Sequence, residues 1–355
     1  MKSTAHICLQ LPRHLAAFAA AILAASARAD APPAAAPAPY AALGIPAPGP
    51  VTAGPYAPQP ILPGGIVVPL YAPDSPHLRH DRAAEAEKYQ MTNGVPGRIQ
   101  SIVNIHNPSI EVHPADGGNT GTAVIVVAGG GHKTLNVGPE GADFAPWFFN
   151  YGVTTVILRN RLRADGYNAE IDAVNDAFQA IRLLRAHAAE WKIDPAKIGI
   201  VGFSAGAELA GTTAINYDEF DRANHDAADP LAGVSARPDF VGLLYPGPTP
   251  FTRKPATPIA PNTPPTFIAC AGSGDKVHAL WATDYFTAML KAGVPNLEMH
   301  IYGNGVHADG LKDRGGIPFG TWQDRFIDWV RDLGFLGKPG VETKAARDVA
   351  AFAKK

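Results

Sequence analysis

The chain has 355 residues, with 30 Lys and Arg against 32 Asp and Glu, a formal net charge of −2, and charges spread along its length. This leaves no basic stripe for nucleic acid and no polybasic membrane patch, and points to small-molecule chemistry. The length suits one large α/β domain with flanking segments and does not require two domains.

The N-terminus reads as an export signal over 1–29. Lys2, Arg13 and His14 precede an apolar run from Leu15 to Ala27, and Ala27-Arg28-Ala29 supplies the small-x-small pattern before Asp30. The run is too short to span a bilayer, and no later segment reads as a membrane span. The expected location is therefore periplasmic or secreted. Residues 30–63 are dominated by Ala, Pro and Gly (APPAAAPAPYAALGIPAPGPVTAGPYAPQP), with too little to bury to offset chain entropy. They are expected to form a disordered linker ahead of a catalytic domain over 64–337. Residues 338–355 are expected to be a tail, either a short amphipathic helix or frayed chain. Cys8 leaves with the signal, so Cys270 has no intrachain partner, and its place in TFIACAG predicts burial in a strand.

Between the ends, short β-branched runs (IQSIVNI, TAVIVVAG, VTTVILR, IGIVGFS, DFVGLLYP, TFIACAG and LEMHIYG) alternate with helical or turn segments. The clearest predicted helix is Glu170 to Trp191, where Ile171, Val174, Phe178, Ile181, Leu184 and Ala188 recur at threes and fours. Such alternation predicts an α/β fold with a mostly parallel central sheet and helices on both faces. Reacting groups then collect beyond the carboxyl ends of the strands.

In IGIVGFSAGAELA, Gly202 and Gly206 lie two positions either side of Ser204, where a predicted strand turns into a predicted helix. This G-x-S-x-G pattern is that of a nucleophile elbow, with a strained serine and glycines that let neighbouring chain approach. A serine hydroxyl needs a base, an orienting acid and oxyanion donors. Asp275 follows TFIACAG, and His307 follows LEMHIYG, in the chain order serine, acid, histidine. His278 competes as the base but comes before the last strand, so His307 is preferred. Asp275 also reads as a helix N-cap before VHALWATDYF, and Asp309 and Asp313 lie too close to His307 in the chain to be preferred as the acid. Gly129, Gly130 and Gly131 follow the strand VIVVA, where backbone N–H groups can face a developing charge. One oxyanion donor is expected from Gly130 or Gly131 and the other from Ala205. A phosphate loop is disfavoured because His132-Lys133-Thr134, not Gly-Lys-Ser/Thr, follows the triplet.

The runs GGGHKTLNVGPEG, AFQAIRLLRAHAAEWKIDPAKIGIVGFSAGAELA and DAADPLAGVSARPDFVGLLYPG, with the loops bearing Asp275 and His307, resemble the acetylxylan-esterase-like branch of the α/β-hydrolases. That branch lies near the hormone-sensitive-lipase-like esterases, and the similarity covers roughly Arg98 to Gly334. It implies an α/β-hydrolase fold and a secreted or periplasmic serine esterase, commonly a carbohydrate O-deacetylase, with Ser204, Asp275 and His307 as triad and no cofactor or metal. Two departures flank the acyl or alcohol pocket and bear on the substrate. Ala207-Glu208 stands where a Gly-His pair is common, and His132 stands where an aromatic is common.

Substrate contacts are less sharply marked. His132, Lys133 and Glu140 follow the oxyanion loop and are candidates for binding sugar hydroxyls or a carboxylate, or else belong to a solvated surface. Tyr245, at a strand end, either lines the site or caps the core. Residues 216–238, rich in Asp and Asn, read as a small lid or a long loop. His77 and His80 form a spaced pair without the second pair a metal site needs. The expected partner is a small-molecule or oligosaccharide ester. A short-chain carboxylesterase or peptidase of the same fold is the alternative, and a silent binding protein on a hydrolase scaffold is the non-enzyme one.

Overall fold

The computed structural model describes residues 54–224, 230–307, 310–311 and 318–354. Contacts divide the chain into Met1–Ala41 and Ala42–Lys355, and every described residue belongs to the second unit. The expected signal and most of the Pro-rich segment lie outside the described residues, as do Asp309 and Asp313.

The strands are β1 (Ile66–Pro69), β2 (Lys88–Met91), β3 (Ile99–Val103), β4 (Ser109–His113), β5 (Ala123–Val127), β6 (Thr154–Arg159), β7 (Ile198–Phe203), β8 (Phe240–Leu244), β9 (Thr266–Ala271) and β10 (Glu298–Tyr302). The α-helices are α1 (Phe144–Phe149), α2 (Val174–Ala186), α3 (Ala205–Ala223), α4 (Pro250–Arg253), α5 (Lys276–Ala292), α6 (Trp322–Asp332) and α7 (Lys344–Phe352). Eight strands form one sheet in the order β1-β4-β6-β5-β7-β8-β9-β10. The β1–β4 and β4–β6 pairs are antiparallel, and every pair from β6 to β10 is parallel. The core strands β5, β6, β7, β8 and β9 are buried along their whole length, as expected where both faces are covered.

Single positions show the two covered faces. A Cβ at Gly242 would meet Phe326 of α6, whereas its neighbour Leu243 lies near Gly211 of α3 beside Tyr285 of α5. On the α6 side Phe144, Phe203, Trp322 and Phe326 form an aromatic layer, with Phe144 and Phe203 centroids 5.0 Å apart. On the other side Phe178 of α2 stacks on Phe220 of α3 at 4.4 Å. Cys270 is buried in β9 as predicted, and burial, with Asp275 nearby, pushes its thiol up to about 12. No described helix is long and apolar enough to cross a membrane.

Four sequence expectations change. The IQSIVNI run supplies β3, which pairs antiparallel with β2 in a separate two-stranded sheet. Its Ile99, Ile102 and Ile105 instead pack with Leu135, Val137 and Leu162 in a second apolar cluster. The α-helix predicted over Glu170 to Trp191 is confined to α2; a π-helical turn over Ala169–Ala173 precedes it, and Ile171, counted in the apolar stripe, is exposed. Asn216–Ala223 continues α3 rather than forming a lid, because Tyr217 is buried and Phe220 packs on Phe178; residues 225–229 lie outside the described residues.

The linker ends earlier than Pro63. Tyr56 and Ile61 are buried, and the amides of Ile61 and Leu62 donate to Glu111 of β4 at 2.6 and 3.0 Å. Glu111 also takes a 2.7 Å bond from fully buried Arg159. A buried ion pair needs its remaining lone pairs and protons satisfied, and this segment meets part of that need, with Gln59 O accepting from Arg159 Nη2 as well, while Arg159 Nε and Nη1 are buried without a hydrogen-bond partner among the described residues. Of the two readings of the C-terminal tail, the short helix is the one that forms, as α7. Thr343 caps α7 through Ala346 N, and Ala345 and Val349 are buried.

Candidate active site

The serine turn explains the flanking glycines. Ser204 sits between β7 and α3 at φ 52° and ψ −117°, a left-handed backbone that L-residues rarely take. A Cβ at Gly202 would lie 2.2 Å from Gly206 O, and one at Gly206 would lie 2.0 Å from Val127 O at the end of β5. Both are backbone clashes, so the tight turn admits no side chain at either position. The turn is fastened to β8: Ser204 N donates to Leu244 O at 2.9 Å, and Gly247 N donates to Ser204 O at 3.0 Å.

Two loops after β9 and β10 bring in the other partners. Gly274 and Val306 form a parallel bridge, and a Cβ at Gly274 would lie 1.8 Å from Gly305 O. That contact joins the loops bearing Asp275 and His307. His307 Nδ1 bonds Asp275 Oδ2 at 2.7 Å, and its Nε2 lies 3.0 Å from Ser204 Oγ. With the carboxylate holding Nδ1–H, Nε2 is left to accept the serine proton. Asp275 does stand at the N-cap position of α5, but its side chain makes no cap bond. It is buried and turned to the histidines, whereas His307 is exposed.

His278, weighed from sequence as a rival base, bonds the same carboxylate: its Nδ1 lies 2.5 Å from Asp275 Oδ1. Its ring stacks on His307 with centroids 4.1 Å apart. Burial holds its pKa below the usual histidine value, although the Asp275 bond pulls the other way. Asp275, His278 and His307 are the one group among the described residues whose donor atoms cluster closely enough for a metal ion. Ligands around a tetrahedral ion stand about 3.3 Å apart, so contacts of 2.5 and 2.7 Å are those of hydrogen bonds.

The glycine triplet opens the facing wall. Gly130 has φ 128° and is pressed against Thr134 O, while Gly131 and His132 also take positive φ. The amides of Gly130, Gly131 and Ala205 donate to no acceptor among the described residues.

Of the four proposed substrate contacts, only Lys133 is exposed. Glu140 is buried beneath the loop, its Oε2 accepting from Gly129 N at 2.7 Å and its Oε1 from Tyr245 OH at 2.9 Å. Tyr245 OH accepts in turn from Gly310 N at 3.2 Å, and its ring meets His307 edge-on at 4.9 Å. Glu140 and Tyr245 thus link the glycine loop to the histidine loop from below. His132 is buried too, its Nε2 3.2 Å from Glu208 Oε2, and Arg253 bonds the other Glu208 oxygen. Burial alone would lift the Glu208 carboxyl, but the bonds from His132 and Arg253 hold it below the usual value. These pairings span 76 and 105 positions along the chain, so no local pattern announces them.

The mostly parallel eight-stranded sheet, with a serine at the turn between β7 and α3, is the α/β-hydrolase fold. In sequence the chain is similar to proteins named for action on xylan. It is 26% identical over 266 residues to the acetylxylan esterase of Xylanibacter ruminicola, covering 71% of this chain and 51% of that protein. The chain thus spans about half the length of that relative. The BD-FAE family model matches residues 111–243. Among solved structures, the acetyl ester-xyloside bifunctional hydrolase from Caldicellulosiruptor lactoaceticus superposes with a TM-score of 0.60 at 24% identity, covering 79% of this chain and all of that one. A putative carboxylesterase from Lactobacillus plantarum superposes with a TM-score of 0.52 at 26% identity, covering 63% and 93%.

Proposed function

We propose that the protein is an exported serine esterase that removes acyl groups, acetyl foremost, from the hydroxyls of carbohydrate. The observation that carries this reading is the continuous chain from Asp275 through His307 to Ser204, with bonds of 2.7 and 3.0 Å. His307 takes the serine proton as Oγ attacks the ester carbonyl, and Asp275 steadies the imidazolium that forms. The N–H groups of Ala205 and of Gly130 or Gly131 hold the oxyanion. His307 then protonates the leaving alcohol. Water, deprotonated by the same imidazole, attacks the acyl-serine and releases the acid. Every step uses groups of the chain itself.

Similarity to a protein named acetylxylan esterase supports an acetylated carbohydrate as substrate, and the signal-like N-terminus supports export. A second reading, a general short-chain carboxylesterase, is favoured by the Lactobacillus structure. Acetate release from acetylated xylan, acetylated monosaccharides and a short nitrophenyl ester separates the two, with Ser204→Ala measured alongside. The proposal expects serine-dependent release favouring the sugar acetates. Release from the nitrophenyl ester alone would transfer the conclusion to the second reading.

A further inference from the structure

We propose that His278 is a positioning residue of the triad, a second donor that fixes Asp275 and a ring that holds His307; this rests on the triad reading above. Asp275 makes no side-chain cap bond to the backbone of α5, so the helix amides do not fix its carboxylate. The carboxylate is held instead by two imidazoles, one on each oxygen: His307 Nδ1 on Oδ2 at 2.7 Å and His278 Nδ1 on Oδ1 at 2.5 Å. With both bonds in place, rotation about the carboxylate axis breaks at least one of them. Without His278, the exposed His307 would be the one side chain among the described residues left bonded to that carboxylate.

The rings add a second constraint. His278 lies against one side of His307 at 4.1 Å and 29°, and the edge of Tyr245 contacts His307 at 4.9 Å and 69°. Trp281, one helical turn beyond His278, packs edge-on against it at 5.1 Å and limits its own movement. His307 stands on a loop with 39% of its side chain exposed, so this packing replaces the support that a buried base would have from its surroundings.

Charge matters as well. The groups facing His278 are Asp275, which favours its protonated form, and His307, which opposes it. A neutral His278 donates one proton to Asp275 and leaves the carboxylate its negative charge for the imidazolium that His307 becomes. The sequence signal is a His three positions after the Asp, the spacing of a capping box, with the two side chains bonding each other rather than the backbone.

The test compares wild type, His278→Ala, His278→Asn, His278→Phe and Ser204→Ala on a short nitrophenyl acetate across pH 5 to 9, with circular dichroism to establish folding. A loosened base of this kind typically costs about tenfold to a hundredfold in rate. His278→Ala should lose that much in kcat with KM little changed. His278→Asn, which keeps an N–H donor, should recover most of the loss, and His278→Phe, which keeps a ring without the donor, should recover less. Wild-type kcat in a folded His278→Ala, or equal losses in the Ala and Asn variants, would overturn the proposal. Wild-type activity in Ser204→Ala would instead overturn the triad reading beneath it.

Discussion

Gly206→Ala places one methyl group where the structure has no space for it. Its Cβ would lie 2.0 Å from Val127 O and 2.7 Å from Ala128 O, both backbone atoms. Carbon and oxygen ordinarily approach to about 3.3 Å, so β5 and the first turn of α3 must separate by about 1.3 Å. The end of β5 leads into Gly129–Gly131, and the first turn of α3 carries the Ala205 amide. The methyl therefore drives apart the two arms expected to hold the oxyanion. Displacement of this size costs on the order of a hundredfold in rate, and overpacking costs about 1–3 kcal/mol in stability. Gly211→Ala, on the same helix, is the control. Its Cβ would meet Tyr285 and Leu243 at 3.5 and 3.6 Å, which is ordinary contact, and replacing a helical glycine should stabilise by about 0.5–1 kcal/mol. Steady-state hydrolysis of a nitrophenyl ester and urea unfolding of both variants supply the data. A Gly206→Ala protein with wild-type kcat and stability refutes the reasoning, as does a Gly211→Ala protein damaged to the same degree.

Two further expectations concern the network beneath the site. Tyr245→Phe removes the hydroxyl that donates to Glu140 and accepts from Gly310. It should cost about 1–3 kcal/mol and lower kcat several-fold with little change in KM, as read by urea midpoints and kinetics. Glu208 has a folded pKa below its ordinary value of 4.5, so its stabilisation is present above that value and fades as pH falls through the folded pKa. Glu208→Gln should therefore be less stable than wild type at pH 7, with the gap narrowing below pH 4.5; a gap constant from pH 7 to pH 3 would count against the ion network.

The residues of the proposed triad were legible in the sequence because each leaves a local mark. Gly202 and Gly206 record backbone clashes, and Asp275 and His307 each follow a recognisable strand. The antiparallel edge was harder to read. Ser109–His113 carries Glu111, a charge that argues against a buried strand until its partner Arg159 is known to sit across the β4–β6 pair. The polar run that continues α3 resembled a loop because its burial depends on Tyr217 and on Phe178 of another helix. His132, Glu140 and Tyr245 looked like substrate contacts because they follow glycines or strand ends. Their buried bonds to Glu208, Gly129 and Gly310 arise only when distant segments meet. The second histidine on Asp275 was visible as a residue but read as a rival to His307, since spacing alone does not say which carboxylate oxygen a ring will take.

The most direct test of the account is to trap the acyl-enzyme. Wild type mixed with nitrophenyl acetate and quenched in acid within the first turnover should yield one acetyl group on the peptide containing Ser204. His307→Ala and Ser204→Ala should yield none there. An acetyl group found only on another residue, or full turnover by Ser204→Ala, would contradict the assignment of Ser204 as the nucleophile.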